Sequence, residues 1–185
     1  MEPRSRLSPS PPDAQRLLAV YLNDHLAGAG GGTALVRRMS RSHRSRPSGA
    51  RLAELAAEVA EDRESLREVM RNVDAPVMPT KTLVIRLAEK VARVKPNGRL
   101  LRRSPLSDLL ELEAIRLGVE GKLALWRTLH GVARTDGRID QDAMRRLAER
   151  AERQIRMVED LRLAAASTAF GAPHEPLFRP GPRHG

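Results

Sequence analysis

Apolar residues return at steps of three, four and seven along four long stretches of this chain, and that spacing restricts the fold more than any other feature. An average step near 3.6 residues keeps one face of a helix apolar, whereas a half-buried strand alternates every second residue. The first stretch carries Leu18, Leu22, Ala29, Val36 and Met39; the second carries Leu52, Leu55, Val59, Leu66 and Val69. The third places Leu110 and Leu117 on one face, and the last places Met144, Leu147, Ala151, Ile155, Val158 and Leu161. Tyr21, Trp126, Phe170 and Phe178 are the only aromatic residues. The core must therefore be aliphatic, which suits helix packing better than a sheet.

Punctuation between the stretches sets the helix ends. Ser10 before Pro11 and Asp13 reads as a cap, a first helical position and a dipole-matched acid, so a helix is predicted over 11–44. Pro47-Ser48-Gly49 is a turn, and a second helix is predicted over 48–73. A short helix is predicted over 80–94, stopped by Pro96-Asn97-Gly98. Ser104-Pro105 opens a helix to about 133, Asp136-Gly137 turns the chain, and the last helix is predicted over 140–169. Gly30-Gly31-Gly32 is awkward inside a helix, at about 1 kcal/mol per Gly against Ala, and calls for close packing or a bend.

Two short turns imply two antiparallel hairpins, joined by a connection long enough to cross the bundle. The predicted fold is all-α: a four-helix bundle, ferritin-like, with a short crossover helix between the second and third long helices. A plain up-down bundle with a docked extra helix is the alternative. Residues 1–12 and 171–185 read as disordered ends around a domain at 13–170. The N-terminal segment has no apolar stretch of a signal peptide, and no apolar run approaches the roughly 18 residues of a membrane span. A soluble cytoplasmic protein without membrane partners is expected. With no cysteine in the chain, disulfides, Cys-zinc sites and thiol catalysis are excluded.

Polar residues interrupt the inward stripes at mid-length. Asp24 and His25 do so on the first helix and Asp62 on the second; Glu113 and Glu120 do so on the third long helix and Gln154 on the last. Buried polar groups must be paired, so the simplest reading is a hydrogen-bonded network among them, with Arg63 or Lys122 as further partners. The sharper reading is a carboxylate-rich metal site, which in such bundles takes Glu-x-x-His pairs. The chain contains no Glu-x-x-His, so no metal or other cofactor is assigned and no catalytic residue is named.

The formal charge is +10. Six arginines and no acid lie between residues 37 and 51, and eight basic residues accompany Glu89 between 81 and 103. Arg37, Arg38, Arg41, Arg44, Arg99, Arg102 and Arg103 are the candidate polyanion contacts. No nucleic-acid motif accompanies them, and solvated arginines are the plainer reading.

Five strings together carry a resemblance. They are Tyr21-Leu22-Asn23-Asp24-His25-Leu26-Ala27-Gly28, Glu58-Val59-Ala60-Glu61-Asp62-Arg63-Glu64, Lys95-Pro96-Asn97-Gly98-Arg99, Ser104-Pro105-Leu106-Ser107 running into Glu111-Leu112-Glu113, and Gly118-Val119-Glu120-Gly121-Lys122. Over about 13–168 the chain resembles an uncharacterised family of actinobacterial all-helical proteins. The resemblance implies the helical fold and brings no activity. By topology alone the chain is distantly similar to the ferritin-like superfamily, whose metal ligands do not carry over. The function expected from these readings is non-enzymatic, through an unknown protein partner. A metal or small-molecule site, or nucleic-acid binding, is the alternative.

Overall fold

A computed structural model describes residues 11–78 and 105–171 of the chain. They form four helices and no strand: α1 Pro11–His43, α2 Gly49–Asn72, α3 Pro105–Val132 and α4 Gln141–Phe170. The predicted helix at 80–94, the caps Ser10 and Ser104, Arg99, Arg102 and Arg103, and the tail beyond Gly171 lie outside the described residues. Among the described residues no helix is long and apolar enough to cross a membrane.

Local chemistry explains the ends. Asp140 has extended backbone and accepts a hydrogen bond from the amide of Ala143 at 3.0 Å, which satisfies one open donor of α4. Gly171 closes the same helix in the left-handed conformation at φ 67°, where a side chain is disfavoured. Asp74, at φ 54°, turns the chain out of α2. Gly49 is needed for space, because a Cβ there would stand 2.5 Å from the carbonyl oxygen of His43 and 3.0 Å from that of Arg44. Both contacts are to backbone, which cannot swing aside.

Gly30-Gly31-Gly32 behave differently. α1 runs through them unbroken, and nothing lies within 4 Å of where their Cβ atoms would be. Close packing is therefore not what holds glycine there. We expect Gly31→Ala to raise stability by about 0.4–1 kcal/mol by restricting the unfolded chain. Gly49→Ala should lower it by about 1–3 kcal/mol through overpacking. Opposite shifts in melting temperature check the pair; a destabilising Gly31→Ala would contradict the open space around α1.

Polar contacts give the directions of the helices. Toward one end, Asn23 in the first half of α1 donates to the carbonyl of Pro76 at 3.0 Å and accepts from the amide of Met78 at 2.8 Å, just past α2. Arg138 in the α3–α4 turn joins that end, donating to the carbonyl of Val73 at 3.3 Å and to Gln15 at 3.1 Å. At the other end, Arg46 after α1 reaches Asp108 in the first turn of α3 at 2.8 Å. Arg51 early in α2 reaches Asp160 late in α4 at 3.2 Å. Every neighbouring pair is antiparallel: α1 with α2, α3 with α4, α1 with α3 and α2 with α4. The chain therefore leaves α2 at one end of the bundle and enters α3 at the other.

The core is aliphatic apart from Trp126, and it includes Leu22, Met39, Leu52, Leu55, Leu66 and Leu129. Of the expected core residues, Leu22 and Val59 are buried and Ile155 packs half-buried against the core. The expectation for α3 was wrong. Leu110 is 38% and Leu117 66% exposed, while Leu112, Ile115, Val119, Leu123, Trp126 and Leu129 face inward. α3 carries two apolar stripes about 200° apart. The one that wins is longer and contains the largest side chain, so its burial removes more apolar area from water.

Candidate functional site

A polar constellation in the interior begins on α2, where the 3.6-residue period turns Asp62 inward between Val59 and Leu66. Asp62 is 2% exposed. Its two oxygens receive Lys122 of α3 and Arg150 of α4, and Gln154 Nε2 donates to it at 3.2 Å. Gln154 is itself fully buried; its carbonyl oxygen accepts from Lys122 and its amide donates to Glu58 at 2.8 Å. Arg150 continues outward to Glu61 at 2.9 Å. Two cations and a neutral amide thus converge on one carboxylate, and three helices are tied at mid-length. Burial pushes the Lys122 ammonium below the ordinary lysine range, while Asp62 opposes that shift through its charge and hydrogen bond.

This arrangement brings together only part of the expected set. Asp62 and Gln154 meet. His25 stands edge-on to Tyr21 with ring centroids 4.6 Å apart, and lines with Asp62 and Lys122 the groove between α1, α2 and α3. Asp24 lies half-buried on α1. Glu113 pairs outward with Arg162 at 3.9 Å and Glu120 with Arg116 at 3.5 Å, because the face of α3 that bears them points away from the core. Glu113 and Glu120 are therefore not members of an inward network. Arg150 was missed, although it lies one helical turn before Gln154. Among the described residues no three His, Asp or Glu side chains group so as to hold a metal ion. The lone pairs of Asp62 that a metal would need are engaged by Lys122 and Arg150.

A second cluster closes the end of the bundle where α1 turns into α2. His43 is buried, with Nδ1 2.9 Å from the Ser48 hydroxyl and Nε2 3.1 Å from Asp108. The order Ser, His, Asp resembles a nucleophilic relay, and a cavity of about 630 Å³ lies beside it. The Asp108 carboxylate is shared with Arg46, however, which offsets the negative charge that a relay would place behind the imidazole. The cluster reads better as the clasp of α1, α2 and α3. Periodicity gave no sign of it, because its members come from one turn and a helix about 60 residues later.

No protein-family model, no curated protein and no solved structure matches this chain.

The arginines at the end of α1 divide. Arg38 pairs with Glu111 at 3.0 Å. Arg37, Arg41 and Arg44 are exposed at steps of four and three along one ridge, with no carboxylate partner among the described residues.

A cavity of about 300 Å³ lies between α1, α2 and α3. Gly28 and Gly32 of α1 face Gly118 and Gly121 of α3 across it, with Leu66, Leu125 and Trp126 on its walls. Asp62 and Lys122 close one side.

Proposed function

We propose that this chain is a non-enzymatic cytoplasmic helical bundle that acts by binding a protein partner, and that its buried charges are structural. The observation that carries this reading is the second stripe of α3. Leu106, Leu110 and Leu117 are 47%, 38% and 66% exposed, and Ala114 joins them on the same line. Single exposed leucines need no explanation, but a line of them at helical spacing is the form that groove and helix recognition takes. Charged pairs flank it, Arg38 with Glu111 on one side and Glu113 with Arg162 on the other. A partner helix with apolar anchors and a polar rim fits such a face. The antiparallel order of all neighbours and the crossing between α2 and α3 support a ferritin-like arrangement, and the all-helical fold agrees with the resemblance to the actinobacterial helical family.

The test is a Leu110→Asp, Leu117→Asp double variant. It should melt with the wild type and lose the partner proteins that co-purify with the tagged wild type from its native cells. Unchanged co-purifying proteins would refute the reading.

The arginine ridge favours a second reading, polyanion binding through Arg37, Arg41 and Arg44. Its signature is DNA or RNA affinity that falls steeply with salt and falls again in the triple alanine variant.

A further inference from the structure

The outer face of α3 carries more than its three leucines. Leu110, Ala114 and Leu117 are continued by Gly121, Ala124, Thr128 and Gly131, at alternating steps of four and three. That is the 3.5-residue repeat of a seam between two helices, kept over three heptads and about 32 Å. Gly121 is half-buried and the others are exposed. None of them is charged, although 30% of the chain is. Thr128 turns its hydroxyl back onto the carbonyl of Ala124 at 2.9 Å.

The line is uneven along its length. The large side chains, Leu106, Leu110 and Leu117, stand in its first half, and the small ones follow. All three glycines of α3, Gly118, Gly121 and Gly131, lie on the line or beside it. Each weakens the helix, and nothing of its own chain lies within 4 Å of where its Cβ would be. The packing of the single chain thus gives no reason for glycine there, whereas a leucine arriving from outside does.

We propose that this face binds a second copy of the chain, with the two α3 helices antiparallel about a two-fold axis beside Gly118. The inference rests on the reading that this face binds a protein, and it names that protein. In this register Leu110 of one copy stands over Thr128 of the other, Leu117 over Gly121, and Ala114 over Ala124, and the two-fold repeats each contact. Every leucine meets a smaller residue. A parallel pairing would set leucine on leucine and glycine opposite glycine, and close packing would fail along half the seam. The charges agree with the same register. On the edge toward α4, Glu113 of one copy comes beside Arg127 of the other, and the reverse pair forms as well. The Glu113 side chain is 45% and that of Arg127 62% exposed. Arg162, 3.9 Å from Glu113, gives its short bonds to Glu159, so Glu113 has capacity for a second cation. Glu120 meets its own symmetry mate, and Arg116 at 3.5 Å offsets that repulsion. A seam of one helix with many small residues buries little area, so the dimer is reversible and forms in the micromolar range. Dilute protein melts as the single chain.

Sedimentation of the purified full chain at rising concentration should show twice the chain mass. Gly121→Leu fills the space that Leu117 of the other copy needs, and should be monomeric while keeping its helical circular dichroism. Glu113→Arg and Arg127→Glu should each weaken the dimer about tenfold, equal to about 1.4 kcal/mol, and the two together should restore it. The chain has no cysteine, so a single introduced one reports on register. A short bis-maleimide should link Gly118→Cys to itself and leave Leu110→Cys unlinked; a parallel pairing would link Leu110→Cys. The inference is overturned by a monomer at every concentration up to the millimolar range, by a dimer that persists in Gly121→Leu, by failure of the charge swap to restore association, or by linkage of Leu110→Cys. A monomeric pure chain whose Leu110→Asp, Leu117→Asp variant still loses its co-purifying proteins would assign the face to a different protein, so this inference would fall and the partner reading would stand. The sedimentation arm uses the wild type alone and decides even where a variant does not fold.

Discussion

Asp62→Leu should destabilise the protein by about 3–5 kcal/mol, the range for breaking a buried ion pair by removing one partner. The substituted side chain fits the apolar neighbourhood of Val59 and Leu66, so lost packing is not the cause. The cause is that Lys122 and Arg150 lose their shared carboxylate while charged, and that Gln154 Nε2 keeps only its bond to Glu58. Asp62→Asn retains an acceptor oxygen and the volume of the wild-type residue, and should lose less. The deficit has a pH signature. The folded-state pKa of Lys122 already lies below its ordinary value, and Asp62 is its largest opposing influence. Without Asp62 it falls further. Between that folded value and the ordinary value of 10.5, the unfolded chain binds more protons than the folded one, so stability rises with pH across the window. Part of the Asp62→Leu deficit should therefore recover in alkaline buffer, while the Arg150 share persists. Denaturant unfolding at neutral and alkaline pH measures both; a deficit under about 1 kcal/mol at neutral pH would show that the network contributes little.

Leu112→Ala should cost about 2–5 kcal/mol, and Leu110→Ala two residues away should stay within about 0.5 kcal/mol. Leu112 is 3% exposed inside the core, and its truncation leaves a cavity that a close-packed interior fills only in part. Leu110 stands on the outer stripe, where truncation exposes little that was hidden. Equal effects at the two sites would mean that α3 presents its other face to the bundle.

The helix ends were legible because their signals are local. Pro47-Ser48-Gly49, Asp136-Gly137 and the Asp140 cap each act within a few residues, and the observed ends lie within one residue of the expected ones for α2, α3 and α4. The inward faces of α1, α2 and α4 were also legible, since each has one dominant stripe. α3 was not, because two apolar faces compete and the choice depends on which neighbours they meet. Asp62 and Gln154 could be singled out as polar residues on buried faces. Their actual partners could not: Arg150 looks like any surface arginine of α4 until α2 is placed against it. His43 and Asp108 were illegible for the same reason, as their contact exists only once α1 and α3 lie side by side.

The crossing of the chain between α2 and α3 has a kinetic consequence. Each hairpin, α1–α2 and α3–α4, closes over a short turn, whereas joining the hairpins requires closure of a much longer loop. The hairpins are therefore the natural early structures, and their association is the late event. Asp62 on one hairpin and Lys122, Arg150 and Gln154 on the other meet only in that event. Loss of the network should then appear chiefly as faster unfolding, with the refolding rate nearly unchanged, whereas a change at the Gly49 turn should slow refolding.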